Sequence, residues 1–274
     1  MSTSHGARGI EPIRQPLLKW PGGKRELLPH ILPLVAGPAK RYYEPFVGGG
    51  AVFFALAPTL AILSDYDSDL INCYRQVRNN PRGVVARLRA MRNSATDYYR
   101  IRRSVPRSDA GAAARTIYLS TLSFNGIHRK NQRGEFNVPY GYKHHLVPCD
   151  THRITTASAA LQVARLYCGD FEAAVDDAGR GDVVYLDPPY TVAHSNNGFI
   201  KYNAKIFSWA DQTRLATLVD RLASRGCRVV VSNADHPSIL QLYRGFNVKR
   251  IERPSRIAAS KAFRRRITEC IFYS

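Results

Sequence analysis

The residues RYYEPFVGGGAVFFAL (41–56) decide the fold. A short aromatic run reaches Glu44 and Pro45, three glycines follow at 48–50, and an apolar run resumes at Ala51. That order reads as a strand, a glycine loop and the start of a helix. LAILSDYDSDLINCYRQV (60–77) repeats it, with an apolar strand that ends in acids and then a helical pattern. Together they give the β-α-β unit of a doubly wound α/β sheet. Upstream, LLKWPGGKRELLPHILPLV (17–35) reads as a glycine turn and a helix, while residues 1–14 read as a loose tail.

The pattern then changes. From about residue 81 to 121 the chain is rich in Arg and Ala and reads as helices, with a break at SVPRSDAG (104–111). SFNGIHRKNQRGEFNVPYGYKHH (123–145) mixes aromatics, bases, asparagines and glycines, and reads as a loop and a β-hairpin. The β/α alternation resumes with LYCGDFEAAV (166–175) and DVVYLDPPY (182–190). It continues through WADQTRLATLVDRLASRG (209–226), CRVVVSNAD (227–235) and RITECIFYS (266–274). The expected organisation is one sheet domain, 15–72 and 163–274, interrupted by a mainly helical module at 73–162.

VVYLDPPYT (183–191) is the sharpest local signal. Four β-formers make an interior parallel strand, and Asp187 stands at its carboxyl end, where open α/β sheets bind ligands. Pro188 and Pro189 stop the ladder and stiffen the turn. The tip offers one carboxylate, fixed carbonyl oxygens and the aromatic face of Tyr190. Those groups suit a planar molecule that carries an amino group. An exocyclic base amine has its lone pair delocalised into the ring. Accepting its two hydrogens at Asp187 and at the Pro188 carbonyl favours a pyramidal, nucleophilic nitrogen, with Tyr190 stacked on the ring. A base treated in this way must first leave the duplex.

The glycine loop permits close approach of a ligand to backbone, and a helix start favours acceptors. Asp65, 15 positions after Gly50 at the next strand end, can accept from both hydroxyls of a ribose. The glycines do not follow GxGxxG, which favours a nucleoside cofactor smaller than a dinucleotide. Ser232 and Asn233 end a strand beside the same sheet edge and can help line a pocket.

Bulk charge points the same way. Forty Lys and Arg against 21 Asp and Glu leave +19, an excess that suits an anionic polymer such as nucleic acid. No apolar run approaches membrane-crossing length and the first residues are not a signal peptide. Cys73, Cys149, Cys168, Cys227 and Cys270 are odd in number and contain no CxxC pair, which suits reduced thiols rather than disulfides or zinc.

Six stretches in order, LLKWPGGK, EPFVGGGAVFF, SDYDSDLI, FNGIHRKNQRGEFNVPYGYK, YLDPPY and VVVSNAD, resemble the Dam-like (D12 class) DNA adenine-N6 methyltransferases over nearly the whole chain after the tail. The resemblance implies a Rossmann-like sheet domain, S-adenosylmethionine as cofactor, double-stranded DNA as partner, no metal, and a cytoplasmic protein of bacterial or phage origin. It implies that Trp20, Lys24, Asp65 and Asp187 contact the cofactor. Residues 44–50, with Glu44, Pro45, Phe46, Gly48 and Gly50, form the loop beneath it, and Asp187 is central to catalysis in the turn Asp187, Pro188, Pro189, Tyr190. The inserted module then recognises DNA.

Within that module Arg129 and Arg133 can pair with guanine edges, and Asn125 or Asn137 with adenine. Lys130 and Lys143 suit phosphates, and Phe124 stands where many members have tyrosine. His144 and His145 read as solvated, and Arg264, Arg265 and Arg266 as phosphate contacts or an exposed edge. The residues alone leave open the same chemistry on cytosine N4, a non-enzymatic DNA-binding regulator and a nicotinamide oxidoreductase. The glycine pattern and the charge weigh against the last.

Overall fold

A computed structural model describes residues 16–131, 133–191, 207–254 and 266–274. The expected tail at 1–14 and the residues Arg264 and Arg265 lie outside the described residues. Contacts divide the chain into two compact units. One comprises Gly22–Gly48, Leu60–Ile71 and Arg165–Ser274; the other comprises 49–59, 72–164 and the described residues up to Pro21.

Seven described strands form the sheet: β1 (Tyr42–Glu44), β2 (Ala61–Asp65), β3 (Ala164–Cys168), β4 (Val183–Leu186), β5 (Arg228–Ala234), β6 (Asn247–Pro254) and β7 (Arg266–Tyr273). Their order is β3-β2-β1-β4-β5-β7-β6. β1 pairs in parallel with β2 on one side and β4 on the other, and β4 pairs in parallel with β5. β7 lies between β5 and β6 and runs antiparallel to both. From β1 the chain steps outward in one direction to β2 and β3, then returns to build the other half from β4. The β1/β4 boundary is therefore the topological switch point, and open sheets bind ligands beyond the carboxyl ends of strands there.

Alternation along the strands sorts their side chains onto two faces. Tyr43, Val184, Leu186, Val229, Val231, Cys270 and Phe272 share a buried apolar core, covered by Leu215, Leu218, Val219 and Leu222 of a helix at Trp209–Ser224. Tyr42, Glu44, Tyr185, Ser232 and Glu269 alternate to the opposite side, and all are buried. That face holds the polar groups. The sequence reading missed β6, because NVKRIERP carries only Val248 and Ile251 as branched apolar residues. Charge of this kind is how edge strands resist pairing with other chains.

The other unit is mainly helical. Across both units the described helices are, in chain order, α1 (Leu28–Val35), α2 (Ala51–Leu56), α3 (Ser68–Asn79), α4 (Pro81–Arg89), α5 (Ala95–Arg103), α6 (Asp109–Leu122), α7 (Thr151–Leu161), α8 (Phe171–Ala174), α9 (Trp209–Ser224) and α10 (Pro237–Leu242), of which α2 and α4 to α7 lie in the helical unit. Side-chain caps start four of the helices in this unit: Asn80 accepts from Gly83 N–H, Ser94 from Asp97, Ser108 from Gly111 and Asp150 from Arg153. The break between α5 and α6 falls where Pro106 and the Ser108 cap place it. Tyr98 packs against Tyr118 and Tyr140, with ring centroids 6.1 and 5.2 Å apart, and all three are buried.

Candidate active site

Strand β4 delivers Asp187 directly beyond Leu186, its last paired residue. Lys24, only 5% exposed, meets the Asp187 carboxylate at 2.7 Å and donates to the Gly22 carbonyl at 2.9 Å. The same ammonium lies 4.9 Å from the centre of the Tyr190 ring and 3.9 Å from Glu269. Tyr190 donates its hydroxyl to Glu269 at 2.8 Å. Burial, then the charges of Glu269 and Asp187, holds the Tyr190 phenol well above its usual pKa, so it is a donor across the working pH range. Tyr185 behaves alike for the same reasons of burial and the Asp187 charge, and its hydroxyl shares a hydrogen bond with Ser232 at 2.9 Å.

The turn is braced from the core side. A capping box between Ser208 and Asp211 fixes the start of α9. One residue on, Gln212 is fully buried and donates to the Pro189 carbonyl at 3.2 Å. Asn233 in turn donates to Gln212 at 3.0 Å. Ser232 and Asn233, read from the sequence as pocket-lining, are thus buried supports for the strand ends. Gln212 and Glu269 were not singled out by the sequence reading. Glu269 carries no local signal: it is a lone acid in the strand TECIFY, and its burial beside Cys270 and Ile271 shows only in the fold.

Within β1 Tyr42 donates to Glu44 at 2.9 Å, and just beyond it the Pro45 carbonyl accepts from Ser64 at 3.3 Å. Phe46 packs against Phe171 and Phe207, at 5.4 and 5.6 Å between centroids. Asp65, at the end of β2, accepts from Gly48 N–H and Asp67 N–H, each at 3.0 Å. Burial raises its carboxyl to about 6, against the pull of those two donors. Asp65 therefore braces the glycine loop, a role the sequence reading did not assign. Lys24, Glu44, Pro45, Phe46, Gly48, Asp65 and Asp187 all belong to the sheet unit, whereas Trp20 and Gly50 belong to the helical one. There Gly50 takes φ +68°, and a Cβ on it would sit 2.9 Å from the Phe54 ring, so glycine is required. Trp20 stacks on His128 with centroids 4.2 Å apart.

The segment 123–143 folds back on itself, but through isolated antiparallel bridges at Ser123 with Tyr140 and Lys130 with Phe136 rather than a continuous hairpin ladder. Pro139 supplies no N–H, and Asn125 in a left-handed conformation (φ 52°) bends the partner side. Asn131 closes the tip: its Oδ1 accepts from the N–H groups of Arg133 and Glu135 at 2.9 and 3.0 Å. Arg129 is exposed and donates from Nε to Asn137 Oδ1 at 2.9 Å, so two of the expected base readers hold each other. Arg133, Asn125 and Phe124 are exposed, and Lys130 is half-buried. Lys143 is spent on the Ser123 carbonyl at 3.1 Å, and burial, then Lys19, lowers its pKa. His144 and His145 are exposed.

A family model described as D12 class N6 adenine-specific DNA methyltransferase matches residues 20–257. Type II methyltransferase M1.LlaDCHI of Lactococcus lactis subsp. cremoris is 40% identical over 94% of this chain and 94% of its own. The DNA adenine methylase of Haemophilus influenzae is 32% identical over 94% and 92%. The DNA N-6-adenine-methyltransferase of Escherichia phage P1 is 35% identical over 88% of this chain, which corresponds to 33% of that longer protein.

Proposed function

Because the chain belongs to the D12 class of N6 adenine-specific DNA methyltransferases, and so methylates adenine N6 in DNA, we propose that the DPPY turn is where the amine is held. The observation that carries this is the Asp187 carboxylate at the switch point, fixed by buried Lys24 at 2.7 Å. In this reading Asp187 and the Pro188 carbonyl accept the two N6 hydrogens. That pairing would withdraw the nitrogen lone pair from the ring and leave it available to a methyl donor. Gln212 takes the Pro189 carbonyl and keeps the turn from rotating. Lys24 covers one face of the Tyr190 ring, so the adenine stacks on the other. Reaching such a position requires the base to leave double-stranded DNA, and the exposed Arg129, Arg133 and Asn125 bind the flanking sequence.

S-adenosylmethionine, when bound, supplies the electrophilic methyl group. The residues present fit it. Asp65 carries an anionic carboxylate at neutral pH beside a loop whose Gly48 it already holds, and carboxylates in that position accept from ribose hydroxyls. Lys24, Glu44, Pro45 and Phe46 complete the wall of that site in the sheet unit. The names of the relatives suggest a modification enzyme that marks one short sequence.

The test is expression in a methylation-free bacterium, followed by sequencing that reads N6-methyladenine and N4-methylcytosine directly. N6-methyladenine at one recurring short sequence, lost on Asp187→Ala, is expected. Methylation within about tenfold of wild type in that variant would remove Asp187 from the chemistry.

A further inference from the structure

We propose that Glu269 is a positioning residue for methyl transfer, fixing the Tyr190 ring and the Lys24 ammonium as one body beside Asp187; this rests on the DPPY turn being the site of the amine. Glu269 is 2% exposed and lies on β7, which joins the parallel half of the sheet through β5, with Ala234 opposite it. Burying a carboxylate is costly unless it is paired, so its partners are the reason for its presence.

Two of those partners are site residues. Tyr190 donates to Glu269 at 2.8 Å, and the Lys24 ammonium lies 3.9 Å from the same oxygen. Lys24 also meets Asp187 at 2.7 Å and lies over the Tyr190 ring at 4.9 Å. Three side chains close a ring of contacts, Glu269 to Tyr190, Tyr190 to Lys24 and Lys24 back to Glu269, and Asp187 joins it through Lys24. Anchoring the hydroxyl fixes the ring plane about its last torsion, which is otherwise soft. A stacked base inherits that plane, and in-line transfer is sensitive to small errors in it. Glu269 touches neither base nor cofactor in this scheme and acts through Tyr190 and Lys24.

The experiment is a double-mutant cycle on the full chain. Glu269→Ala should lower kcat about ten- to a hundredfold, the loss expected for a buried hydrogen bond to a charged acceptor, with KM for DNA changed by less than about threefold. Glu269→Gln keeps an acceptor at the same place and should recover most of the rate. In a Tyr190→Phe background the hydroxyl is absent, so adding Glu269→Ala should cost less than about threefold more. Independent, multiplying effects would overturn the proposal, as would an unchanged kcat in Glu269→Ala. Should the alanine variant fail to fold by its melting curve, the Glu269→Gln and Tyr190→Phe pair decides: a folded Gln variant slowed tenfold or more, or a Tyr190→Phe variant as fast as wild type, sinks the idea. Tyr190→Ala and Asp187→Ala, run alongside, separate the two readings. If both remain active, the DPPY assignment itself is wrong whatever Glu269 does.

Discussion

Asp65 braces the glycine loop, and in the proposed function it also takes the cofactor ribose. Its carboxyl is raised to about 6, chiefly by burial, while Gly48 and Asp67 donate to it. A raised pKa means that the folded chain prefers the protonated form. Its contribution to stability is full below the usual carboxylate range and is lost as pH rises through about 6. The ribose contact proposed for Asp65 runs the other way, because the anion accepts hydroxyls better. The dissociation constant for S-adenosylmethionine should therefore rise as pH falls below about 6, measured by calorimetry. Asp65→Asn should bind more weakly at pH 8 and lose that pH dependence. An unchanged pH curve in the asparagine variant would take Asp65 out of the ribose contact. Asp65 and Asp187 were legible because each acid ends an apolar run with a turn signal behind it. Glu269 was not, since its hydrogen-bond partner Tyr190 lies 79 positions away and no turn marks it.

At the scale of elements, the segment 123–143 is a small device anchored along its C-terminal side. Tyr98 donates to the Val138 carbonyl at 3.1 Å, and Asn93 donates to the Lys143 and Leu146 carbonyls at 2.9 and 2.8 Å. The tip depends on Asn131, which accepts two backbone N–H groups. Arg129 uses Nε on Asn137, so its remaining guanidinium donors are the ones that can form a fork to guanine. Arg129→Ala should cost about 1–3 kcal/mol of discrimination at one base position, read by methylation rates on a set of singly substituted duplexes. Asn131→Ala should blur every position the segment reads, while leaving binding to unrelated DNA intact. Equal weakening of all sequences by Arg129→Ala would make it a phosphate clamp. The sequence showed that the segment turns back, because Gly134 and the asparagines are turn formers. It could not show that only isolated bridges form, since that depends on Pro139 falling opposite Phe124, next to the left-handed Asn125. The helices around it were legible from the Arg- and Ala-rich run and the break at 104–111, whereas the caps at Ser94 and Ser108 show only in the fold.

At the scale of the whole molecule, what the sequence revealed is what local order determines. The strand, glycine loop and helix at 41–56 and the repeat of that order at 60–77 announced a doubly wound sheet, and β1, β2 and β4 pair as that implies. β6 escaped because a charged edge strand lacks the apolar alternation that marks an interior one. Net charge is the other global property, and it carries the last prediction. With +19 over 274 residues, binding to non-target duplex should be governed by counterion release. The slope of log affinity against log salt is about −0.9 for each phosphate neutralised, so several contacts make binding fall steeply from low to physiological salt. Methylation targets add base contacts, which release few ions. Target and non-target DNA should thus give near-parallel lines, separated by a gap that salt changes little. Lys130→Ala should flatten both lines by about one unit if it meets a phosphate, whereas Arg129→Ala should narrow the gap and leave the slopes alone. Fluorescence anisotropy at four or five salt concentrations measures all of this. An affinity that stays flat between low and physiological salt would mean that the basic excess serves something other than DNA, and the charge argument would fail.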